Sequence, residues 1–263
     1  MILSSCDMDP FLFNTKTLDN YTVSNAVIPD SARQLISFQS QGKTIYGFFV
    51  KSNRRVNAVK DYTLLYFHGN KYNNTEYWDR VEFFYTAGFS ILIFDYEGFG
   101  KSEGTCSEEA LYADARAARS YLYLMPGTDT SKIIYYGYSL GGAPAVDLSV
   151  EYPPQKLILE APFASGEVLI QSGTLLDIPG SFLLKGEFNN VDKIKNVHVP
   201  VAIIHGVDDK FIDINKNGAE VFKNANSPKI FIPVPGADHT NIPQKMGIAV
   251  YNDFLYNVVD WNF

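Results

Sequence analysis

The amino-acid sequence predicts an α/β fold in which a mostly parallel central sheet carries helices on both faces. Short apolar runs alternate with amphipathic helical segments from residue 34 onward, which is typical of parallel sheets. Several runs, such as 62–67 and 89–94, are almost continuously apolar, as strands buried on both faces are. No linker-rich stretch divides the 263 residues. We therefore expect one α/β domain over residues 34–263, preceded by an N-terminal extension over residues 1–33.

The predicted elements follow one another in a regular order. Residues 34–39 and 44–50 are predicted to form a β-hairpin, which places an antiparallel pair at the N-terminal edge of the sheet. Further strands are predicted at 62–67, 89–94, 132–136, 156–160, 199–205 and 229–234. Helices are predicted at 75–86, 140–152, 215–224 and 244–259, and one more begins at a capping box formed by Thr105 and Glu108. The segment 166–198 interrupts this order, and we expect a small lid or insertion there.

Composition and charge limit the classes of function. Hydrophobic residues make up 46% of the chain and charged residues 19%, which is ordinary for a packed globular protein and excludes a disordered one. Lys and Arg number 22 against 29 Asp and Glu, so the net charge is −7 at pH 7. A chain of this sign repels phosphate backbones, and we expect no nucleic-acid partner. The two cysteines, Cys6 and Cys106, are too few for a disulfide framework.

The N-terminus carries a separate signal at Cys6. Residues 3–6 (Leu-Ser-Ser-Cys) resemble a bacterial lipobox, where a signal peptidase cuts before a cysteine that is then lipidated. The apolar segment that defines such a signal is not visible in the sequence. Two interpretations stay open. Either acyl chains on Cys6 anchor a cell-envelope or periplasmic protein to the membrane, or the protein is cytoplasmic and Cys6 is an unrelated cysteine.

Residues 137–141 (Gly-Tyr-Ser-Leu-Gly) fit the G-x-S-x-G pattern of a nucleophile elbow. In such an elbow the serine lies on a sharp turn between a strand and a helix, and the flanking residues are small because the strand and helix nearly touch. Residues 100–104 fit the same pattern around Ser102. Ser139 directly follows a predicted buried strand and begins a helix, whereas Ser102 lies several residues beyond its strand. We therefore predict Ser139 as the nucleophile and interpret Ser102 as part of a surface turn.

A nucleophilic serine needs a histidine base and an acid that orients the histidine. Among four histidines, His239 alone lies in the last loop, downstream of a candidate acid. The acid is expected after the penultimate strand, where Asp208 and Asp209 are adjacent and Asp213 follows. Asp209 is the first choice and Asp208 the second, and spacing alone does not decide between them. The other histidines are His68, which precedes the nucleophile, His205, interpreted as structural, and His198, expected to be exposed.

Charge that develops on a carbonyl oxygen requires hydrogen-bond donors, which together form an oxyanion hole. One donor is expected from the backbone N–H of Leu140, directly after the nucleophile. The other is expected from the loop after the first long buried strand, where the backbone N–H of Asn70 is suitably placed. Glu160, at the end of a different strand, is interpreted as structural.

Together these residues resemble the α/β-hydrolase superfamily, and more narrowly its Bem46-like and depalmitoylase-like branch of serine hydrolases. The resemblance covers nearly the whole chain from residue 34 onward and rests on five motifs: Phe-His-Gly-Asn at 67–70, Asp-Tyr-Glu-Gly-Phe-Gly-Lys-Ser-Glu-Gly at 95–104, Gly-Tyr-Ser-Leu-Gly-Gly at 137–142, Glu-Ala-Pro-Phe-Ala-Ser at 160–165 and His-Gly-Val-Asp-Asp at 205–209. In that family the acid is the fourth residue after the histidine of the His-Gly pair, which supports Asp209. The resemblance also implies a structural role for Ser102, and it favours lipid attachment at Cys6.

The sequence thus predicts a serine hydrolase, either a carboxylesterase or a thioesterase, that cleaves short to medium acyl esters through an acyl-enzyme. This chemistry needs no metal or cofactor, and the expected partner is a small-molecule acyl ester or thioester. The alternatives are a peptidase or lactonase on the same fold, and a non-catalytic binding protein. A metal hydrolase that uses His205, Asp208 and Asp209 lacks a convincing set of ligands.

Overall fold

The computed structural model of the protein describes residues 13–53, 59, 61–171 and 187–261. The strands in this part of the chain are β1 (Asn14–Thr15), β2 (Arg33–Ser40), β3 (Lys43–Val50), β4 (Thr63–Phe67), β5 (Lys71–Tyr72), β6 (Ser90–Phe94), β7 (Ile133–Tyr138), β8 (Lys156–Glu160), β9 (Val201–Gly206) and β10 (Lys229–Val234). The helices are α1 (Trp78–Ala87), α2 (Glu108–Leu124), α3 (Gly142–Glu151), α4 (Gly166–Gln171), α5 (Asn190–Lys193), α6 (Gly218–Asn224), α7 (Ile242–Met246) and α8 (Ile248–Asp260).

Within the described residues, eight strands form one sheet in the order β10-β9-β8-β7-β4-β6-β3-β2. β3 pairs antiparallel with both of its neighbours, β2 and β6. The other neighbouring strands of the sheet pair in parallel. The predicted α/β fold, a mostly parallel sheet with an antiparallel N-terminal edge, is confirmed.

Helices cover both faces of this sheet, because successive residues of a buried strand face opposite sides. In β4, Leu65 belongs to one hydrophobic core and Leu64 to the other. The first core includes Leu111 of α2, and the second includes Phe84 of α1 and Leu255 of α8. The continuous apolar runs of the sequence are explained by these two cores.

The predicted capping box at the start of α2 is wrong. The N-cap residue is Ser107, whose hydroxyl oxygen accepts a hydrogen bond from the Ala110 N–H at 3.1 Å. Thr105 therefore lies before the helix, and Glu108 is its first residue. The Glu108 carboxylate is used elsewhere, since it accepts a hydrogen bond from the Phe188 N–H at 2.8 Å.

The predicted last helix over residues 244–259 is two helices, α7 and α8. Gly247 separates them with a φ of +80°, in the left-handed region that glycine adopts readily. A periodic apolar pattern continues across this break, so the sequence pattern did not reveal it.

Part of the predicted lid over residues 166–198 is described. It contains α4 and, from residue 187 onward, α5. Residues 172–186 lie outside the described residues, and so does Cys6. In the part of the chain that the structure describes, no helix combines the length and apolar character needed to cross a bilayer.

Parallel strands bring the predicted site residues to one edge of the sheet. Asn70 follows β4, Ser139 follows β7, Asp209 follows β9 and His239 follows β10. Because β4, β7, β8, β9 and β10 run in the same direction, their carboxyl ends lie along the same edge. Ligands of open α/β sheets bind at this edge.

Candidate active site

Ser139 lies on a strained turn between β7 and α3. Its φ is +52°, a left-handed conformation that is costly for a residue with a side chain. A Cβ atom at Gly137 would lie 2.6 Å from the Gly141 carbonyl oxygen, and one at Gly141 would lie 2.0 Å from that of Phe67. Both flanking positions therefore require glycine, as the geometry of a nucleophile elbow demands.

The structure brings Ser139, His239 and Asp209 together in one chain of hydrogen bonds. Oγ of Ser139 lies 2.9 Å from Nε2 of His239, and Nδ1 of His239 lies 2.8 Å from Oδ2 of Asp209. Since an ionised carboxylate only accepts, Nδ1 carries the proton and donates a hydrogen bond to Asp209. Nε2 is then free to accept the hydroxyl proton of Ser139, which is the arrangement that a general base requires.

Asp209 is held as an anion by several donors. Its Oδ1 accepts hydrogen bonds from the N–H groups of Phe211 and Ile212, at 2.9 and 2.8 Å. Burial alone would raise the pKa of Asp209, but it is outweighed by hydrogen bonds from His205 and His239, by the positive charge that His239 carries when protonated, and by the Ile212 N–H. The pKa is therefore lowered, and the carboxylate stays charged over the pH range in which enzymes with a catalytic histidine work.

The neighbouring acids have other surroundings. Asp208 is exposed, and its N–H donates to the Ala237 carbonyl oxygen at 2.9 Å. Oδ1 of Asp213 accepts hydrogen bonds from two backbone N–H groups at the start of the turn before α6. Of the three acids that the sequence offers, Asp209 is the one that contacts His239. Across the described residues, no group of three or more His, Cys, Asp or Glu side chains is arranged to hold a metal ion.

His205 contacts the same acid from the sheet side. It is fully buried in β9, and its Nε2 lies 2.8 Å from the Ile212 carbonyl oxygen and 3.3 Å from Oδ2 of Asp209. Both neighbours are acceptors, so Nε2 carries the proton. Sequence reasoning interpreted His205 only as structural, although its position four residues before Asp209 was the signal for this contact.

The loop that holds Asn70 lies beside the elbow. β4 pairs with β7 so that Phe67 is opposite Gly137. Gly141 packs against the backbone of Phe67, which places the turn containing Leu140 next to the end of β4. The two predicted oxyanion donors therefore come from neighbouring segments.

This loop is fastened on two sides. Oδ1 of Asn70 accepts a hydrogen bond from the Asn14 N–H at 3.0 Å, and β1 pairs with β5 just beyond it. The Lys71 N–H donates to the Tyr77 hydroxyl at 2.7 Å. The N-terminal segment and the turn before α1 thus fix the backbone around Asn70.

Two aromatic rings contact the imidazole of His239. The Phe211 ring centroid lies 5.0 Å away and that of Tyr138 5.4 Å away. Phe211 is 37% exposed, whereas Tyr138 is buried. The Tyr138 hydroxyl also donates a hydrogen bond to the His239 carbonyl oxygen at 3.0 Å. Tyr138 is the first variable residue of the G-x-S-x-G pattern, and sequence reasoning assigned it no role.

The remaining candidates are placed as follows. Ser102 is buried rather than part of a surface turn, so that interpretation is wrong. Its hydroxyl donates to the Asp95 carbonyl oxygen at 2.7 Å and accepts from the Tyr46 N–H at 3.0 Å, which ties the loop after β6 to β3. Glu160 is fully buried and is a structural partner of Arg80. His198 is exposed, as predicted.

Comparison of the sequence with known proteins identifies the family of this chain. Residues 59–194 match the family described as Serine aminopeptidase, S33 (Hydrolase_4). The chain belongs to this family of α/β-hydrolases. This chain is 32% identical to alpha/beta hydrolase domain-containing protein 17B of Homo sapiens over 217 residues, which are 81% of this chain and 71% of that protein.

Other relatives match over shorter stretches or in fold alone. An uncharacterized protein of Mycobacterium tuberculosis is 36% identical to this chain over 170 residues, which cover 64% of this chain and 59% of that relative. The chain thus spans less than two thirds of the mycobacterial protein. The Pyrococcus furiosus esterase Pf2001 has a TM-score of 0.74 at 16% identity, covering 94% of this chain and 96% of that one. An esterase domain from Rhodothermus marinus has a TM-score of 0.64 at 19% identity, with coverages of 86% and 99%. At these identities the similarity shows the fold.

Proposed function

We propose that this hydrolase is a serine carboxylesterase or thioesterase that forms an acyl-enzyme on Ser139. The observation that carries the proposal is the unbroken hydrogen-bonded chain from Ser139 through His239 to Asp209, with distances of 2.9 and 2.8 Å. The strained backbone of Ser139 supports it, because strain at a residue with a side chain is retained where it serves a function.

Acylation begins when Oγ of Ser139 attacks the carbonyl carbon of the ester or thioester. His239 takes the hydroxyl proton on Nε2 as the new C–O bond forms, and Asp209 stabilises the resulting imidazolium. The carbonyl electrons move to the oxygen and give a tetrahedral oxyanion. When this intermediate collapses, the bond to the leaving group breaks, and His239 gives its proton to the departing alcohol or thiol.

Deacylation repeats these steps with water as the nucleophile. His239 accepts a proton from water as the water oxygen attacks the acyl carbon. The second tetrahedral intermediate expels Oγ of Ser139, which takes the proton back. One water molecule is consumed, a carboxylic acid is released, and the side chains of Ser139, His239 and Asp209 return to their starting states.

The backbone N–H groups of Asn70 and Leu140 are the proposed oxyanion donors. Their support is the packing of the elbow turn against the end of β4. Removing one such donor in other enzymes costs about 10²–10³ in kcat. Main-chain ester substitution at position 140, which replaces the N–H by an oxygen, tests this assignment without changing a side chain.

Short to medium acyl esters are the proposed substrates. The Phe211 ring, 37% exposed and packed on His239, gives the site an apolar surface beside the histidine. The esterases with the same fold support ester hydrolysis. The family description, a serine aminopeptidase, favours a peptidase as the second candidate. p-Nitrophenyl esters of graded chain length, acyl thioesters, lactones and aminoacyl p-nitroanilides separate these activities.

A fluorophosphonate probe tests the chemistry itself. We expect the folded wild-type protein to be labelled, Ser139→Ala to resist labelling, and Ser102→Ala to label like the wild type if it folds. Hydrolysis should be slower in acidic than in mildly alkaline buffer, because a protonated imidazole cannot accept the serine proton. A folded wild type that neither labels nor hydrolyses any of these substrates would exclude the proposed function.

Membrane anchoring through Cys6 is a separate part of the proposal, and its alternative is a cytoplasmic protein. Mass spectrometry of the N-terminal peptide of the full-length protein, purified from its natural host, distinguishes the two. Acyl chains on Cys6 indicate a lipoprotein of the cell envelope. An unmodified Cys6 indicates the cytoplasmic alternative.

A further inference from the structure

Tyr138 contacts His239 in two ways. The Tyr138 ring is stacked on the imidazole at an interplanar angle of 30°, and its hydroxyl donates to the carbonyl oxygen of the same residue. Burial raises the pKa of Tyr138, so this hydroxyl remains a proton donor at neutral pH. One side chain therefore fixes both the ring and the backbone of His239.

Arg80 lies against both Tyr138 and the loop that follows His239. Its Cζ is 4.0 Å from the centre of the Tyr138 ring. Its Nη2 donates to the Thr240 carbonyl oxygen at 3.1 Å. Two successive carbonyl groups of the histidine loop are thus bound by two buried side chains, Tyr138 and Arg80.

Arg80 is itself held by Glu160. Nη2 of Arg80 lies 2.9 Å from Oε1 of Glu160, which is fully buried. The other carboxylate oxygen of Glu160 accepts a hydrogen bond from the Tyr136 hydroxyl. That hydroxyl also forms a hydrogen bond with the hydroxyl of Tyr251 on α8. A buried charge pair with these extra hydrogen bonds is rigid, so it can serve as a fixed support.

Other hydrogen bonds in the histidine loop shape its backbone. Asp238 accepts hydrogen bonds from the N–H and hydroxyl of Thr240 and from the N–H of Asn241, which shapes the turn. Phe211 does contact the imidazole, but it lies at the surface. Tyr138 is therefore the buried aromatic residue on which the imidazole packs.

Tyr138 also reaches the opposite side of the site. A Cβ atom at Gly69 would lie 3.1 Å from Cε1 of Tyr138, so the ring packs closely against the residue before Asn70. The Tyr77 ring lies 5.8 Å from that of Tyr138, and the Tyr77 hydroxyl accepts a hydrogen bond from the Lys71 N–H. Tyr138 thus borders both His239 and the proposed oxyanion loop.

We propose that Tyr138, supported by Arg80 and Glu160, is a positioning residue that holds the imidazole of His239 in line with Ser139. The proposal rests on the proposed function, because the alignment matters only if His239 is the base. A displacement of about 1 Å in a catalytic group can cost about 10²-fold in rate. The first variable residue of the nucleophile elbow is therefore part of the machinery that places the base.

Two substitutions of Tyr138 separate its two contacts. Tyr138→Phe keeps the stacked ring and loses the hydrogen bond to His239, and we expect kcat to fall about fivefold with KM unchanged within about twofold. Tyr138→Leu loses both contacts, and we expect kcat to fall about 100-fold with KM again little changed. The matched control is Tyr256→Phe, which removes a tyrosine hydrogen bond to the Ala87 carbonyl oxygen far from the site. It should leave kcat unchanged.

Arg80 is tested in a way that avoids an unpaired buried charge. Replacing Arg80 alone leaves Glu160 without its cation, which is strongly destabilising. In the double variant Arg80→Gln with Glu160→Gln both charges are removed. We expect this variant to fold and to lose about tenfold in kcat, because the Thr240 carbonyl oxygen loses its charged donor.

A crystal structure of Tyr138→Leu provides a readout that does not depend on activity. We expect Nε2 of His239 to lie beyond hydrogen-bond distance of Oγ of Ser139 in this variant. If Nε2 stays in place and kcat is that of the wild type while Ser139→Ala is inactive, the positioning proposal is wrong and the proposed function stands. If the wild type shows no activity or labelling, the proposed function fails, and the Tyr138→Leu structure still decides whether Tyr138 holds His239.

Discussion

His205 and Asp209 are four residues apart in the sequence, and Nε2 of His205 lies 3.3 Å from Oδ2 of Asp209. That same oxygen accepts the hydrogen bond from Nδ1 of His239 at 2.8 Å. Nε2 of His205 and Nδ1 of His239 therefore both approach the same carboxylate oxygen of Asp209. Since one imidazole comes from the rigid sheet and the other from a loop, His205 fixes the acid to which His239 is aligned.

Replacing His205 should weaken catalysis without removing any reacting group. His205→Leu removes the imidazole N–H that faces both the Ile212 carbonyl oxygen and Oδ2 of Asp209, and losing a polar contact to a charged group is typically enough to change a rate about tenfold. We expect kcat to fall by about that factor, measured with a p-nitrophenyl ester.

The control for His205 is the exposed His198, and His198→Leu should keep the activity of the wild type. A folded His205→Leu variant with unchanged kcat would show that His205 is not needed to orient Asp209. Circular dichroism and a thermal unfolding curve establish that each variant is folded.

Gly141, the last residue of the elbow, and the adjacent Gly142 make a matched pair. A Cβ atom at Gly141 would lie 2.0 Å from the Phe67 carbonyl oxygen, whereas one at Gly142 meets nothing closer than 3.6 Å. Gly141→Ala should therefore disrupt the elbow and abolish activity. Gly142→Ala should keep the activity and raise the free energy of unfolding by about 0.5 kcal/mol, because glycine is unfavourable in helices. Equal behaviour of the two variants in urea titrations and ester assays would contradict the close packing of the elbow.

Asp114 gives a prediction about stability and pH. It is fully buried in α2, where Oδ2 accepts the Glu97 N–H at 2.7 Å, and burial raises its pKa to about 7. The unfolded chain has its ordinary pKa of about 3.9, so the folded state holds the proton more tightly. Stability from this group is greatest at low pH, and it falls as pH rises from about 4 to about 7.

Asp114→Asn removes this dependence, since asparagine does not ionise. We expect the variant to exceed the wild type by about 2–4 kcal/mol in free energy of unfolding at pH 8, with the difference shrinking towards pH 5. Urea titrations at several pH values measure it. Asp260→Asn, at an exposed aspartate, should show no such trend. A difference for Asp114→Asn that stays constant from pH 5 to pH 8 would contradict the raised pKa.

The fold was predictable because its signal is local and repeated. β8 and β10 have the bounds that the apolar runs predicted, and the alternation of strands and helices is enough to indicate a parallel sheet. The position of Ser139 on a turn between a strand and a helix was predictable for the same reason, since the elbow pattern and the strand before it are contiguous. The capping box failed because Ser107 and Thr105 are both suitable N-cap residues, and their side-chain chemistry does not distinguish them.

The contacts around His239 were not predictable, because they join segments that are far apart in the sequence. Nothing in the pattern links Arg80 to Thr240 or Tyr138 to His239. Asp208 and Asp209 also follow the same strand, so only the direction of the turn after β9 selects the acid that reaches the histidine. Phe, Trp and Tyr make up 14% of the chain, and some of these rings, such as those of Tyr77 and Tyr138, pack beside the site.

Intact-protein mass spectrometry of the reacting enzyme shows whether Ser139 carries the acyl group. The wild type mixed with a slowly hydrolysed p-nitrophenyl ester should gain the mass of one acyl group, on the peptide that contains Ser139. His239→Ala should acylate far more slowly, and Ser139→Ala should gain no mass and lose hydrolysis. A Ser139→Ala protein that hydrolyses the ester at the rate of the wild type would contradict the account.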